Sequence, residues 1–271
     1  MAKGNGHGAL KASPMEKVHS MWRFERALAG TAEHLAGVDE AGRGALAGPV
    51  VAAAVVLGQA PDAFVGVDDS KKLSRAKREA LYDIICRNAR AVSIGIASSE
   101  EIDASNILQA SRLAMARAME ALETTVSLVL VDGPYAPLYG DRTWPSIPVV
   151  DGDAKCLSIA AASVVAKVYR DRLMAELAES YPEYGFDQNA GYGTPVHLAA
   201  LKNLVPLRAI GSPSHLCSGT CKRGCGNGSH HSRHHRESGN GVGHSVERCS
   251  GTGTGIGRRA SEPNASDYPG R

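Results

Sequence analysis

Apolar residues in this chain fall into short unbroken runs separated by segments of helical spacing. Residues 47–57 form one such run, rich in valine, which is too short to cross a membrane as a helix and is typical of a strand buried on both faces. Further strands are predicted at 91–97, at 126–131, at 147–150 and from Leu35 to the acidic pair Asp39 and Glu40. The pattern therefore predicts a sheet as the centre of the fold.

The segments between these runs have the periodicity of helices. The predicted helices are a short one at 23–29, one that begins at Ser74, one that contains 107–118 and follows a capping box of Ser98 and Glu101, and a long one near 158–179. Strands that alternate with helices indicate an α/β layer architecture. Because two strands follow each other early in the chain, the sheet is expected to be mixed rather than purely parallel.

Composition divides the chain into three parts. Residues 1–20 are small and polar and are expected to be disordered, so residues 1–33 are interpreted as an N-terminal extension. Residues 34–205 carry the strand and helix patterns and are expected to form one domain. Residues 206–271 are rich in Gly, Ser, His and Arg and almost lack large apolar side chains, which predicts a disordered tail.

The distribution of charge limits what the composition says about partners. The formal net charge is +2, but nine of the 30 Lys and Arg residues and four of the 28 Asp and Glu residues lie in 206–271. Residues 1–205 therefore carry a charge of −3, so the basic balance of the chain says nothing about the domain. With no apolar stretch of about 18 residues and no signal-peptide run, we expect a cytoplasmic protein without a membrane span.

Cysteine usage argues against a disulfide framework. Cys86 and Cys156 stand alone in apolar or helical surroundings, and the other four cysteines lie in the tail. Cys217, Cys221 and Cys225 lie near several histidines and could suggest zinc. Their four-residue spacing is wrong for a paired two-residue knuckle, so no zinc site is expected.

Four acidic residues lie at predicted strand ends or just before a helix, namely Asp39, Glu40, Asp132 and Asp153. Carboxylates at the same end of neighbouring strands can converge, and such hard oxygen ligands select Mg²⁺ or Mn²⁺. Two ions about 4 Å apart can activate a water molecule and stabilise the leaving oxygen of a phosphodiester. Acidic residues also cap strand ends and helix N-termini for solvation alone, and for any single one of the four the position by itself favours this interpretation.

The residues around these acids resemble the motifs of the ribonuclease HII family. In chain order they are Gly-Val-Asp-Glu-Ala-Gly-Arg-Gly at 37–44, Asp-Ser-Lys-Lys-Leu-Ser at 69–74, Val-Asp-Gly at 131–133, Gly-Asp-Ala-Lys at 152–155 with Ser-Ile-Ala-Ala-Ala-Ser-Val-Val-Ala-Lys at 158–167 and Arg-Asp at 170–171, and Gly-Tyr-Gly-Thr at 191–194. The resemblance runs in the same order from residue 35 to about residue 204. It implies a ribonuclease H-like fold in which a mixed five-stranded sheet is flanked by helices, with the catalytic domain at 34–205.

The resemblance also assigns the site. It implies that the metal-binding and catalytic carboxylates are Asp39, Glu40, Asp132 and Asp153. It implies that Gly42, Arg43 and Gly44 contact the ribonucleotide at an RNA–DNA junction, where glycines let the backbone approach the 2′-hydroxyl. Tyr192 would stack on the deoxyribose that follows. Many members have Lys before this Gly-Tyr pair whereas this chain has Asn189-Ala190, so one phosphate contact is expected to be missing.

Basic residues follow the second motif. Lys71 and Lys72 precede a helix whose first turns add Arg75, Lys77 and Arg78. A basic run is usually a solvated helix face. Near a metal site, however, cations at the start of a helix suit phosphate binding, so Lys71 and Lys72 are predicted to contact the substrate backbone.

The implied activity is hydrolysis of the RNA strand of RNA–DNA hybrids, and cleavage beside a ribonucleotide embedded in duplex DNA, with 5′-phosphate and 3′-hydroxyl products. We expect a monomer that requires Mg²⁺ or Mn²⁺. A junction resolvase of the same superfamily is an alternative, but Arg43 between two glycines argues against it because a DNA-only substrate offers no 2′-hydroxyl. A catalytically inactive hybrid-binding protein is a second alternative, which the intact acidic residues disfavour.

The resemblance stops near Leu204, which suggests a shifted reading frame. Members of the family continue there with Leu-Gly-Pro-Thr, then His-Arg and Ser-Phe. Codons for Leu204 to Leu207, read one base earlier, can encode Leu-Gly-Pro-Thr, and the following residues can encode the other two pairs at the family's spacing. The tail is therefore predicted to be frame-shifted, with a genuine disordered extension as the alternative.

Overall fold

The computed structural model describes residues 12–58, 60–138 and 142–204. Within these residues the chain forms one five-stranded sheet with helices on both faces. The strands are β1 (Leu35–Ala41), β2 (Val50–Val56), β3 (Ala91–Ala97), β4 (Leu128–Asp132) and β5 (Ser146–Val149). Each lies within three residues of its predicted run.

The strand directions confirm the predicted mixed sheet. The strand order is β3-β2-β1-β4-β5, in which β2 is antiparallel to both β1 and β3. The pairs β1–β4 and β4–β5 are parallel. Since neighbouring parallel strands end at the same edge of a sheet, β1 and β4 bring their carboxyl ends together.

Three helices cover one face of the sheet, namely α1 (Pro14–Ala29), α2 (Arg75–Asn88) and α6 (Leu157–Ser180). The first ten residues of α6 are all buried, as expected for a helix that packs along the middle of a sheet. Gly37 in β1 allows this close packing, because a Cβ at that position would collide with the backbone of Ser158. The predicted start of α2 is confirmed, with Ser74 as its N-cap.

The opposite face is covered by a helix pair that the pattern predicted as one helix. The chain forms α3 (Ser99–Ala104) and then α4 (Ile107–Glu120). The capping box of Ser98 and Glu101 is present, but a second cap follows, in which the Asn106 side chain accepts a hydrogen bond from the backbone of Gln109. The prediction of a continuous helix was wrong because Asn106 starts a new one.

The prediction of disorder to residue 20 was also wrong, because the first helix begins at Pro14 rather than near 23. Ser13 and Glu16 form a capping box at its start, and Pro14 occupies its first turn. Val18 and Met21 on this helix are buried in the same apolar cluster as α6. The small residues at the very N-terminus made this helix-start signal difficult to recognise in the sequence.

The described chain also contains three short α-helices, α5 (Gly152–Lys155), α7 (Phe186–Asn189) and α8 (Pro195–Asn203), and three single-turn 3-10 helices at Pro61–Phe64, Ser70–Lys72 and Pro182–Tyr184. Within residues 12–58, 60–138 and 142–204, none of the helices has the length and apolar character needed to cross a bilayer. The tail at 206–271, with its predicted disorder, shifted frame and tail cysteines, lies outside the described residues.

Candidate active site

Three carboxylates meet where β1 and β4 end. Val38 and Val131 are paired in the parallel register of these strands, so Asp39 and Asp132, one position further on, lie side by side. Asp153 joins them from α5, which follows β5 directly. The candidate ligand oxygens of Asp39, Asp132 and Asp153 all lie within 4.8 Å of one another. The structure thus brings together three of the four predicted acids.

Asp132 also holds the segment that carries Asp153. Its Oδ1 accepts a hydrogen bond from the backbone N–H of Gly152 at 2.7 Å and faces the N–H of Asp153 at 3.4 Å. One carboxylate oxygen therefore ties the end of β4 to the start of α5. This contact links two acids that are far apart in the sequence.

The electrostatics of the cluster indicate a site for a cation. Burial, together with the charges of Glu40, Asp132 and Asp153, raises the pKa of Asp39 well above its ordinary value. Burial and the Asp132 charge likewise raise the pKa of Asp153. An all-oxygen donor set whose members repel one another fits Mg²⁺ or Mn²⁺, because a divalent cation removes that repulsion.

Glu40 lies beside the cluster rather than within it. Its Oε1 is 3.5 Å from Nη1 of Arg43, and burial raises the pKa of Glu40 while Arg43 opposes the rise. The Asp132 charge also raises this pKa, so the Glu40 carboxylate is close enough to sense the three acids. Its assignment as a metal ligand stays a prediction.

The two predicted phosphate-binding lysines differ in their contacts. Lys71 places Nζ 3.2 Å from Oδ2 of Asp153, although 78% of its side chain is exposed. Burial opposes the change, but Asp153, with Asp39 and Asp69, raises the pKa of Lys71. Lys72 extends to Asp69, with Nζ 3.4 Å from its Oδ2. Lys71 thus stands at the edge of the acidic cluster, whereas Lys72 contacts an acid outside it.

The lysine segment is anchored to α6. The Ser70 hydroxyl receives a 2.7 Å hydrogen bond from Ser163, and both side chains are buried. Arg78 donates to the backbone carbonyls of Ser70 and Leu73. Arg78 is therefore a structural residue of this segment, whereas the sequence pattern grouped it with solvated basic residues.

The glycine turn after β1 leaves Arg43 reaching outward. Gly42 has a φ of 102°, which favours glycine, and a Cβ there would collide with the side chain of Arg170. Arg43 lies with its guanidinium carbon 6.0 Å from the ring centroid of Tyr135. At Gly44, a Cβ would have no neighbour within 4 Å. The turn therefore presents open backbone at Gly44.

Tyr192 lies in a loop that several buried residues hold. The Asn189 side chain donates to the carbonyl of Tyr184 and accepts from the N–H of Gly191. Nδ1 of the fully buried His197 lies 2.9 Å from the carbonyl of Tyr192, so Nδ1 carries the proton, because a carbonyl only accepts. Sequence reasoning missed Asn189 and His197 as anchors of this loop.

Other acids near the motifs lie outside the cluster. Asp151 is exposed and pairs with Lys155 at 3.8 Å. Asp68 pairs with Lys17, and Asp171 pairs with Lys167 at 2.6 Å. The preference for Asp153 over Asp151 agrees with this geometry.

The mixed sheet and the carboxylates that meet at the ends of its central parallel strands define a ribonuclease H-like hydrolase. A family profile described as Ribonuclease HII matches residues 36–212, and the chain belongs to this family. The match extends eight residues beyond Leu204, near which the resemblance seen in the sequence stops.

Individual relatives support this assignment. The chain is 54% identical over 186 residues to Ribonuclease HII of Ruegeria pomeroyi, a match that covers 68% of this chain and 77% of the relative. It is 55% identical over 174 residues to Ribonuclease HII of Burkholderia pseudomallei, covering 64% of this chain and 79% of the relative. The crystal structure of ribonuclease H2 from Pyrococcus horikoshii OT3 matches with a TM-score of 0.53 at 28% identity, over 62% of this chain and 85% of that chain.

Proposed function

We propose that this ribonuclease H hydrolyses the RNA strand of RNA–DNA hybrids and also cuts beside a single ribonucleotide embedded in duplex DNA. The products would carry 5′-phosphate and 3′-hydroxyl ends. The observation that carries the proposal is the convergence of three carboxylates within 4.8 Å, next to a turn whose backbone is open. The names of the similar proteins point to the same substrate class.

The difference between the two glycines of the turn supports contact with a ribose. The fold itself requires glycine at position 42, because of its positive φ and the side chain of Arg170. No such requirement exists at Gly44, where a side chain would meet open space. A bare backbone facing open space suits a sugar that must approach closely, and the 2′-hydroxyl is the group that separates RNA from DNA.

The acidic residues would hold the catalytic cations. Bound divalent ions, two in the mechanism we favour, would supply an activated water molecule and stabilise negative charge on the phosphate. Asp39, Asp132 and Asp153 would bind them, and Glu40 would complete the ligand set. Asp132 would keep Asp153 in place through the backbone of Gly152.

Lys71 would change its partner from a carboxylate to a substrate phosphate when substrate binds. Its exposed side chain contacts Asp153 in this structure. Once a cation neutralises that carboxylate, the ammonium group is free to contact a backbone phosphate, as Lys72 would beside it. The carboxylates, the turn and Tyr192 all come from a single chain, so we propose that the enzyme acts as a monomer.

The test is a cleavage assay on three labelled duplexes, namely DNA with one ribonucleotide, a long RNA–DNA hybrid and DNA alone. We expect cleavage of the first two with Mg²⁺ or Mn²⁺, no cleavage of DNA alone, and no cleavage in EDTA. Cleavage of DNA alone would favour a resolvase-like nuclease. Tight hybrid binding without cleavage in either metal would overturn the proposal in favour of a binding protein.

A further inference from the structure

Arg170 on α6 is fully buried and donates hydrogen bonds from all three guanidinium nitrogens. Nε donates to the carbonyl of Pro49 at 2.9 Å, Nη1 to that of Ala190 at 2.8 Å, and Nη2 to that of Ala47 at 3.1 Å. Two of these carbonyls precede β2, and the third precedes the glycine and tyrosine of the last motif. One side chain therefore joins two loops that are over 140 residues apart in the sequence.

The Arg170 guanidinium has no carboxylate partner within hydrogen-bond distance in the described part of the chain. The neighbouring Asp171 pairs instead with Arg78 and Lys167. Burying a charge is unfavourable unless its donors are satisfied, and here backbone carbonyls satisfy them. A helix residue that served packing alone would be apolar, so this arrangement indicates a requirement for the planar set of donors.

The same guanidinium lies against both parts of the proposed junction site. At Gly42, a Cβ would collide with Nε of Arg170, so the turn rests directly on this side chain. On the other side, the guanidinium carbon is 5.4 Å from the ring centroid of Tyr192. Arg170 thus separates the glycine turn from the tyrosine ring and touches each of them.

Backbone contacts strengthen this connection. The N–H of Leu46 donates to the carbonyl of Gly191 at 2.8 Å, and that of Ala47 to the same carbonyl at 3.3 Å. Ala190 adopts a positive φ of 46°, a conformation that L-residues rarely take. Its carbonyl accepts a hydrogen bond from Arg170 in that conformation, so the side chain stabilises a strained bend just before Tyr192.

We propose that Arg170 is a positioning residue, which holds the Tyr192 ring at a set distance from the Gly42–Gly44 turn so that the two grip consecutive nucleotides at the RNA–DNA junction. This inference rests on the proposed function. Arg170 acts through Tyr192 and the turn and does not contribute to the metal site.

The decisive test is a double-mutant cycle between Arg170→Lys and Tyr192→Ala. Lysine keeps the charge but loses the planar fork, so it cannot hold three carbonyls in one plane. On the single-ribonucleotide duplex we expect Arg170→Lys to lower kcat/KM roughly 10-fold or more, mainly through KM, as loss of an aromatic stacking contact does. In the Tyr192→Ala background, the same change should cost less than about 3-fold, because the group through which Arg170 acts is gone.

Two further measurements separate positioning from a general structural role. Mn²⁺ affinity, measured by calorimetry without substrate, should be unchanged in Arg170→Lys. Arg172→Lys is the matched control, because Arg172 is on the same helix but pairs with Glu79 and stacks on Tyr82. It should leave kcat/KM and KM unchanged. Thermal unfolding curves of each variant identify a temperature at which all of them are folded, and the assays are run at that temperature.

If Arg170→Lys does not fold, Arg170→Gln repeats the cycle with a planar side-chain amide. Amide hydrogen exchange of the wild-type protein tests the same idea without substitution. If one side chain joins the two loops, the N–H groups of Leu46 and Gly191 should exchange through the same opening event. Their opening free energies should then be equal. Independent opening of the two loops would overturn the proposal.

The outcomes distinguish this inference from the proposed function. If the wild-type enzyme does not cut the single-ribonucleotide duplex, both fail together. If it does cut, but Arg170→Lys loses activity equally with and without Tyr192, or loses Mn²⁺ affinity in parallel, the proposed function stands and the positioning role is wrong.

Discussion

At the scale of single residues, the active site holds three mutually repelling carboxylates close together, with one lysine beside them. Asp39 is almost fully buried, and its pKa is well above the ordinary value because of burial and the neighbouring charges. Such a group destabilises the fold when it is ionised, and it persists because the site needs it. Stability and activity should therefore respond in opposite directions when Asp39 is replaced.

We expect Asp39→Asn to abolish cleavage while hybrid binding stays intact or improves slightly, because an amide cannot replace a carboxylate that holds a catalytic cation. The metal-free variant should also melt at a higher temperature than wild type, since a buried charge has been removed. Cleavage rates, hybrid binding by fluorescence anisotropy, and melting curves in EDTA measure the three quantities.

The matched control for this variant is Asp151→Asn, because Asp151 lies two residues from Asp153 but is exposed and outside the cluster. It should cleave like wild type. Activity of Asp39→Asn within about tenfold of wild type would contradict the assignment, since loss of a group that stabilises the transition state normally costs far more.

The turn after β1 carries a second prediction at this scale. Gly44→Ala should fold with unchanged stability, because the new methyl group meets no protein atom. It should nevertheless reduce cleavage of the single-ribonucleotide duplex, as should Arg43→Ala, since both changes alter the surface assigned to the junction. Parallel kinetics on that duplex and on a long hybrid provide the measurement. Equal losses on the two substrates would show that neither residue reads the junction.

At the scale of elements, α1 is part of the structure that supports the active site. The first turn of α6 has no cap from its own N-cap residue, Cys156. Glu25 on α1 supplies one, because its Oε2 accepts hydrogen bonds from the N–H of Ser158 at 2.7 Å and from the Ser158 hydroxyl at 2.9 Å. A helix near the N-terminus thus fixes the beginning of the helix that follows Asp153.

The Glu25 carboxyl should make stability depend on pH. Burial raises its pKa from 4.5 to about 7 in the folded protein, despite the opposing bonds from Ser158. Between these two values the folded state binds more protons than the unfolded state, so stability is present at low pH and is lost as pH rises through about 7. We expect this group to lower the free energy of unfolding by about 3 kcal/mol across that window.

Urea unfolding of wild type and Glu25→Gln at a series of pH values isolates the effect, because other groups titrate equally in both proteins. The difference between the two free energies should move in favour of the variant as pH rises. Glu176→Gln, at an exposed position on α6, should follow the wild-type profile. A constant difference between wild type and Glu25→Gln would contradict the assigned role of burial.

At the scale of the whole molecule, the family match and the predicted tail overlap at residues 206–212. The match ends at residue 212, and the two bacterial relatives described above extend beyond their aligned regions by about a fifth of their length. Residues 205–271 lie outside the described residues, so the shifted frame stays a prediction. It concerns the gene rather than the fold.

Sequencing the gene across this region tests the prediction directly. A shifted frame that encodes Leu-Gly-Pro-Thr requires the codons of Asn203 to Pro206 to read AAC, TTG, GTC and CCA, followed by a CT-beginning codon for Leu207. Any other codon among the first four would rule out this reading. Resistance of the tail to protease, together with a requirement for it in cleavage, would likewise support a genuine extension.

The sequence by itself determined the strands and the main helices, and it singled out Asp39, Asp132 and Asp153, which the structure brings together. Local signals can be recognised without knowledge of the fold. They include the apolar runs, the helix caps at Ser74 and Ser98, and the sequence motifs. Even the mixed sheet followed from the order of the runs. The second cap at Asn106 was also local, but it lay inside a continuous helical pattern that concealed it.

Only the tertiary structure decided which residues meet. It placed Asp39, Asp132 and Asp153 together with Glu40 at their side, and it brought α1 into the core. It also revealed Arg170 and Glu25, whose hydrogen bonds span 123 residues to Ala47 and 133 residues to Ser158. Contacts at such separations depend on how the sheet and helices pack, and no periodicity or motif within a short window records them.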